Sequence, residues 1–235
     1  MKIYKLILAI SISLFNSGAF SASIPFEASG LLKVGNTYAG GINLVLDGTA
    51  MNNVGGGNML NSVLDGKSLA YAYCIDIYHG IGLNQTYNAN YNNKALFDDR
   101  LELTKINGGK IAWLILNIAE TALEKYQQAG LQALIWEQVY GAARFTLNAS
   151  TNNKIKTAYQ AYSAVLGINT ASVNDVLWIS PYRNTTSHQD LVAWGGSLSG
   201  LQQAGSVPTP EIIWLFAIGL VGLVVISCKK HPFIA

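Results

Sequence analysis

The sequence predicts an α+β domain: a sandwich or barrel-like sheet system with a helical stretch inserted into it, carried between two apolar ends. Three observations predict it. Strand-like patterning fills the first half of the central region and returns near its end. The middle holds runs of helix-formers bounded by Gly and Asn. No internal repeat and no linker-like stretch divides the region, so the order strand, helix, strand belongs to one domain. With 235 residues, half of them hydrophobic and 12% charged, the chain is too apolar for disorder and long enough for one sizeable core.

The elements follow in order. Gly30 to Asp47 alternates strand-formers with glycines (Leu31, Leu32, Val34, then Ile42, Leu44, Leu46), and Asp47-Gly48 is a turn pair. Met51 to Asn61 is rich in Gly and Asn and reads as a loop. Ser68 to Tyr78 reads as a strand, and the Asn/Tyr-rich run Asn84 to Asn93 as an exposed loop. Lys110 to Leu123, after Asn107-Gly108-Gly109, is a first helix. Gln127 to Tyr140 is a second, stopped by Gly141, and Asn153 to Leu166 a third, stopped by Gly167. Strands return at Asp175 to Ser180 and Gln189 to Trp194.

The two ends read as addresses. Lys2 and Lys5 precede the apolar run Leu6 to Phe15, and small residues follow, as in a secretory signal peptide. Cleavage is expected at Ala19-Phe20-Ser21, with Ser17-Gly18-Ala19 as the second choice; the alternative is an uncleaved anchor helix. At the other end, Ile212 to Ser227 is apolar apart from Gly219 and Gly222, close to the length of a spanning helix. Lys229 and Lys230 behind it would hold that end in the cytoplasm. Before it, Val207-Pro208-Thr209-Pro210-Glu211 keeps the approach extended. The expected division is therefore 1–22 signal peptide, 23–206 exported domain, and 207–235 tail with a transmembrane helix over 212–228. Without the charges of the ends, the central region holds 11 basic against 12 acidic residues. A near-neutral domain has no electrostatic footprint for nucleic acid.

The tail resembles the PEP-CTERM sorting signal of Gram-negative bacteria, with Thr209-Pro210-Glu211 where Pro-Glu-Pro is usual and Lys-Lys-His-Pro in place of an Arg-rich end. That resemblance implies an exosortase-type processing enzyme as a partner, and a destination in the cell envelope, at the outer surface or in the extracellular matrix. A plain C-terminal membrane anchor is the alternative.

Cys74 and Cys228 are the two cysteines, and Cys228 sits at the inner end of the tail helix. Cys74 is then a single thiol in an oxidising compartment. It is either an inert small hydrophobe or a reactive group. Period-2 alternation puts Tyr71, Tyr73, Ile75 and Ile77 on one strand face and Ala70, Ala72, Cys74, Asp76 and Tyr78 on the other. In the second helix, Gln132, Ile135, Trp136 and Val139 fall at i, i+3, i+4 and i+7. An amide on an apolar stripe needs a hydrogen-bond partner or a chemical role, because burying it unpaired costs about 1–3 kcal/mol.

Tyr73-Cys74-Ile75-Asp76 together with Leu131-Gln132-Ala133-Leu134-Ile135-Trp136-Glu137 resembles the signature of bacterial Cys-Gln thioester domains, with Leu134 where Ala is usual. The continuation Val139-Tyr140-Gly141 and the later Gln189-Asp190-Leu191-Val192 resemble exported PEP-CTERM relatives of that type. The resemblance implies that the Cys74 thiol attacks the Gln132 carboxamide, ammonia leaves, and an internal thioester remains. Such a bond is a masked acyl donor that an amine or hydroxyl on a surface protein or polysaccharide can take once, giving adhesion or matrix attachment without turnover.

Asp76, His79 and Glu137 are the nearby proton carriers by sequence. Asp76 shares the face of Cys74, whereas His79 needs a turn at His79-Gly80 to approach it. Glu137 lies off the Gln132 stripe and also reads as a surface charge; Trp136 reads as core shielding the bond from water. Two other functions compete. One is a non-covalent structural or carbohydrate-binding matrix protein using Tyr87, Tyr91 and the Asn-rich loop. The other is a cysteine hydrolase pairing Cys74 with a His. No zinc spacing, phosphate loop or Ser/His/Asp arrangement is present, so neither metal nor cofactor is expected.

Overall fold

The computed structural model describes residues 26–37, 39–94, 107–184 and 186–194. The signal peptide and the tail helix expected from the sequence lie outside these residues, and no helix among the described ones is long and apolar enough to cross a membrane.

The strands are β1 (Glu27–Lys33), β2 (Asn36–Thr37), β3 (Ile42–Leu46), β4 (Thr49–Val54), β5 (Met59–Leu60), β6 (Val63–Leu64), β7 (Lys67–Ser68), β8 (Tyr71–Cys74), β9 (Thr86–Asn92), β10 (Phe145–Leu147), β11 (Leu177–Arg183), β12 (Thr186–Ser187) and β13 (Leu191–Trp194). The helices are α1 (Gly108–Asn117), α2 (Lys125–Tyr140) and α3 (Asn153–Leu166). The chain is thus α+β, with three helices and an antiparallel sheet curled into a half-barrel. That sheet runs β7-β6-β1-β9-β11-β13-β8, with β12 paired to β11. A smaller sheet, β10-β3-β4, holds the hairpin turned at Asp47 and Gly48, whose φ values of 51° and 77° are those of a left-handed two-residue turn.

Several elements differ from expectation. The Asn/Tyr-rich run is strand β9, paired with β1 on one side and β11 on the other. Tyr87, Ala89 and Tyr91 are buried while Thr86, Asn88 and Asn90 are exposed, so a period-2 pattern underlies the unfavourable composition. Burial of both tyrosines also removes them from any contact surface. Met51 to Asn61 is not one loop: it holds the end of β4 and all of β5, joined through Gly55, Gly56 and Gly57. The strand around Cys74 is shorter than expected, ending at Cys74 itself, and Ala72 through Ile77 are all buried, so its two faces are not divided into core and open.

Helix α2 begins with a reciprocal capping box, in which Gln127 accepts from the Glu124 backbone N–H and Glu124 caps the first turn. It is buried continuously from Gln128 to Trp136. Small residues let neighbours approach. A Cβ on Gly130 would stand 2.7 Å from the Ala158 Cβ and 2.8 Å from the Tyr159 backbone N of α3. Gln132 therefore sits in the middle of a core helix that packs against β8.

Candidate functional site

Strand β8 ends the large sheet. One side of it pairs with β13, where Cys74 stands opposite Leu191. The other side would leave backbone groups without a ladder, and a buried unpaired group of this kind costs about 1–3 kcal/mol. Two side-chain amides close that edge. Asn58 accepts from the Ala72 N–H at 2.8 Å and donates to the Ala70 carbonyl at 3.1 Å. Gln132 does the same one step along. Its Oε1 accepts from the Cys74 N–H at 3.1 Å, and its Nε2 donates to the Cys74 carbonyl at 2.6 Å. A primary carboxamide has the donor and acceptor of a peptide group, so it can substitute for a neighbouring strand.

Gln132 Oε1 accepts a second bond from the Gly57 N–H at 3.3 Å. The carboxamide carbonyl of Gln132 is thus held by two backbone N–H groups, from Cys74 and Gly57. Two such donors converging on one carbonyl oxygen form the arrangement that stabilises an oxyanion when a nucleophile adds to the carbon. The glycines make this possible. A Cβ on Gly56 would stand 2.5 Å from Gln132 Cγ and 3.2 Å from the Trp136 ring, and Gly57 has φ of 118°. Residues Gly56, Gly57 and Asn58 were not singled out from sequence; three consecutive glycines are a signal of close backbone approach.

The thiol itself is buried. Burial pushes its pKa up, and the charge of Asp76 pushes it further. The site therefore holds Cys74 as a thiol, not as a ready thiolate, and attack needs a base that removes the proton as the sulfur–carbon bond forms. A cavity of about 360 Å³ reaches Cys74, and His79, Tyr78 and Gln189 are in its wall. The turn after β8 does bring His79 to the Cys74 cavity. Asp76 Oδ1 accepts from the Tyr78 N–H at 2.8 Å, and Asp76 Oδ2 meets His79 Nδ1 in a short contact. Gln189 Nε2 donates to the Asp76 carbonyl at 2.5 Å, and Tyr140 Oη accepts from the Ile77 N–H at 2.9 Å, which fixes the turn from both sides.

Glu137 is placed elsewhere. It accepts from the Tyr159 hydroxyl of α3, consistent with its position off the Gln132 stripe. Trp136 is fully buried beside Gln132 under the glycine run. Cys74, Gln132, Asp76, His79 and Trp136 are brought into one region, and Glu137 serves the joint between the helices. Comparison of the chain with protein-family models, with curated proteins and with solved structures gives no match.

Proposed function

We propose that Cys74 and Gln132 form an internal thioester, and that the domain is exported and uses this bond once to capture a nucleophile covalently at the cell surface or in the matrix. One observation carries the reading: the Gln132 carbonyl lies between the N–H groups of Cys74 and Gly57, on the residue that supplies the thiol. The reaction balances without a co-reactant. The Cys74 S–H proton goes to the Gln132 nitrogen through a base, the S–C bond forms, the C–N bond breaks, and ammonia leaves. His79, oriented by Asp76, is the base available in the cavity. Orientation supplies most of the acceleration, because an amide is a poor electrophile. The signal-peptide-like start, the PEP-CTERM-like tail and an exosortase-type enzyme acting on it complete the proposal.

The His79–Asp76 pair beside a cysteine also favours a second reading, a cysteine hydrolase. The Cys74 N–H supports the thioester over the hydrolase. In a hydrolase that donor serves the substrate's carbonyl, whereas here Gln132 already occupies it. The test is the intact mass of the protein purified from the producing cell. A thioester makes it one ammonia lighter than its sequence, and Cys74→Ala and Gln132→Ala each restore the full mass of the mutant. A wild-type chain of full mass refutes the proposal.

A further inference from the structure

We infer that the acceptor taken at this site is a neutral hydroxyl of a carbohydrate and not a lysine ammonium; the inference rests on the thioester reading above. The way to Cys74 is the cavity of about 360 Å³, whose walls include Val54, Met59, Ile77 and Ile81. Among the described residues that line it, none is acidic, and His79 is the one ionisable group besides Cys74 and Tyr78. Two carboxylates beside the cavity residues are committed. Asp76 is held by His79 and the Tyr78 N–H. Asp47, at the Tyr78 hydroxyl, is engaged by Arg144 through two bonds of 2.7 Å.

An ammonium entering this space loses water and meets no carboxylate in the cavity wall to pair with directly. At neutral pH roughly one lysine in 10³ is already uncharged. A hydroxyl enters uncharged and needs a base. With Nδ1 turned to Asp76, His79 keeps Nε2 as its acceptor nitrogen. At the mouth, Tyr78 is 57% exposed. It is packed edge-on against Tyr140 at 5.8 Å between centroids, an ordered aromatic face on which the apolar side of a sugar ring can lie. In the transfer, the sugar oxygen adds to the acyl carbon of residue 132 and its proton passes through His79 to sulfur. The C–S bond breaks, leaving an ester and the free Cys74 thiol.

The test mixes protein that carries the ammonia deficit, at neutral pH, with equal concentrations of methyl glucoside and Nα-acetyl-lysine methylamide, and reads adducts by intact mass. The sugar ester is expected to exceed the lysine amide about tenfold or more. Leu83→Glu, which puts a carboxylate in the cavity wall, shifts the ratio several-fold toward lysine. Per thioester-bearing molecule, His79→Gln lowers the ester yield about tenfold. A lysine adduct equal to the ester, no ester at all, or an unchanged ratio in Leu83→Glu overturns the acceptor assignment while the ammonia deficit still upholds the thioester. A wild-type chain of full mass fails both together.

Discussion

Removing the thiol distinguishes a cross-link from a contact by the size of its effect on stability. In the absence of a bond, Cys74→Ala deletes one buried sulfur from a site whose hydrogen bonds are all made by backbone and by Gln132. The loss is that of a small buried apolar group, about 1 kcal/mol. With the bond, the same substitution also releases a closed loop. Cys74 and Gln132 are 58 residues apart, and the chain-entropy relation for a loop of that length gives about 4 kcal/mol. The two cases differ by that loop contribution of about 4 kcal/mol, or about three orders of magnitude in the folding constant. Urea unfolding of wild type and Cys74→Ala, each with and without prior treatment with concentrated methylamine at alkaline pH, where more of the amine is the neutral base, measures it, with the fully buried Trp136 as a fluorescence probe. The expected pattern is a large drop for Cys74→Ala, a comparable drop for wild type opened by methylamine, and no effect of methylamine on the mutant. If wild type and mutant differ by only about 1 kcal/mol and methylamine moves neither midpoint, the residues are not joined.

The other predictions are more local. Gln132→Ala strands the Cys74 N–H and carbonyl and the Gly57 N–H, so it should lie roughly 3 kcal/mol or more below methylamine-opened wild type in the same titration. Gly56→Ala should cost about 1–3 kcal/mol and reduce the ammonia deficit, because its Cβ would stand 2.5 Å from Gln132 Cγ; Gly55→Ala, with nothing within 4 Å of its Cβ, should do neither. Asp47, held to about 2 by the Arg144 hydrogen bonds, should contribute stability that is present above its usual carboxylate range and lost as pH falls through about 2. Arg144→Ala should flatten that part of an acid-unfolding curve, and an unchanged curve would count against the pair. Slow reaction of Cys74 with thiol reagents in the folded state is expected with or without a thioester, since the thiol is buried and its pKa raised. Only titration in denaturant separates the two.

Local signals that agree with tertiary need were legible. Asn152 caps α3 through the Lys154 N–H and Gly167 follows its end, so the helix spans the residues its sequence predicts, Asn153–Leu166. The Asp47-Gly48 turn is equally local. Strand β9 was not legible from composition, because Asn is a poor strand-former; Asn88 and Asn90 face out while Tyr87 and Tyr91 supply the buried side, and pairing on both edges overrides propensity. The end of β8 at Cys74 was hidden for a related reason. Ile75 and Ile77 continue the alternation, yet Asp76 turns the chain by capping the Tyr78 N–H. In the site, Cys74 and Gln132 could be paired from their motifs, but the oxygen's two donors could not, since the Gly57 amide comes from a loop 75 residues before Gln132.

Under the proposed thioester chemistry, the geometry that closes the sheet edge is also what activates the amide, and this sets an energetic condition on the reaction. Before reaction, Gln132 Nε2 gives its hydrogen to the Cys74 carbonyl at 2.6 Å, and Oε1 takes two. Addition of sulfur builds charge on Oε1, where both donors are aimed, so the transition state gains more from them than the amide does. Loss of ammonia then removes the donor to the Cys74 carbonyl. That buried carbonyl is left short of a partner, at a cost of about 1–3 kcal/mol unless water follows. The cavity that reaches Cys74 is the path such a water would take, and the same path would admit the nucleophile that discharges the proposed thioester. Formation and discharge are therefore coupled through one opening. Narrowing it at Val54 or Ile81 with a larger apolar side chain should slow capture of external acceptors and, by keeping water from the Cys74 carbonyl, lower the fraction of chains that lose ammonia. Intact mass reads both effects in one sample. A variant that slows capture while leaving the ammonia deficit untouched would show that the stranded carbonyl finds its partner elsewhere.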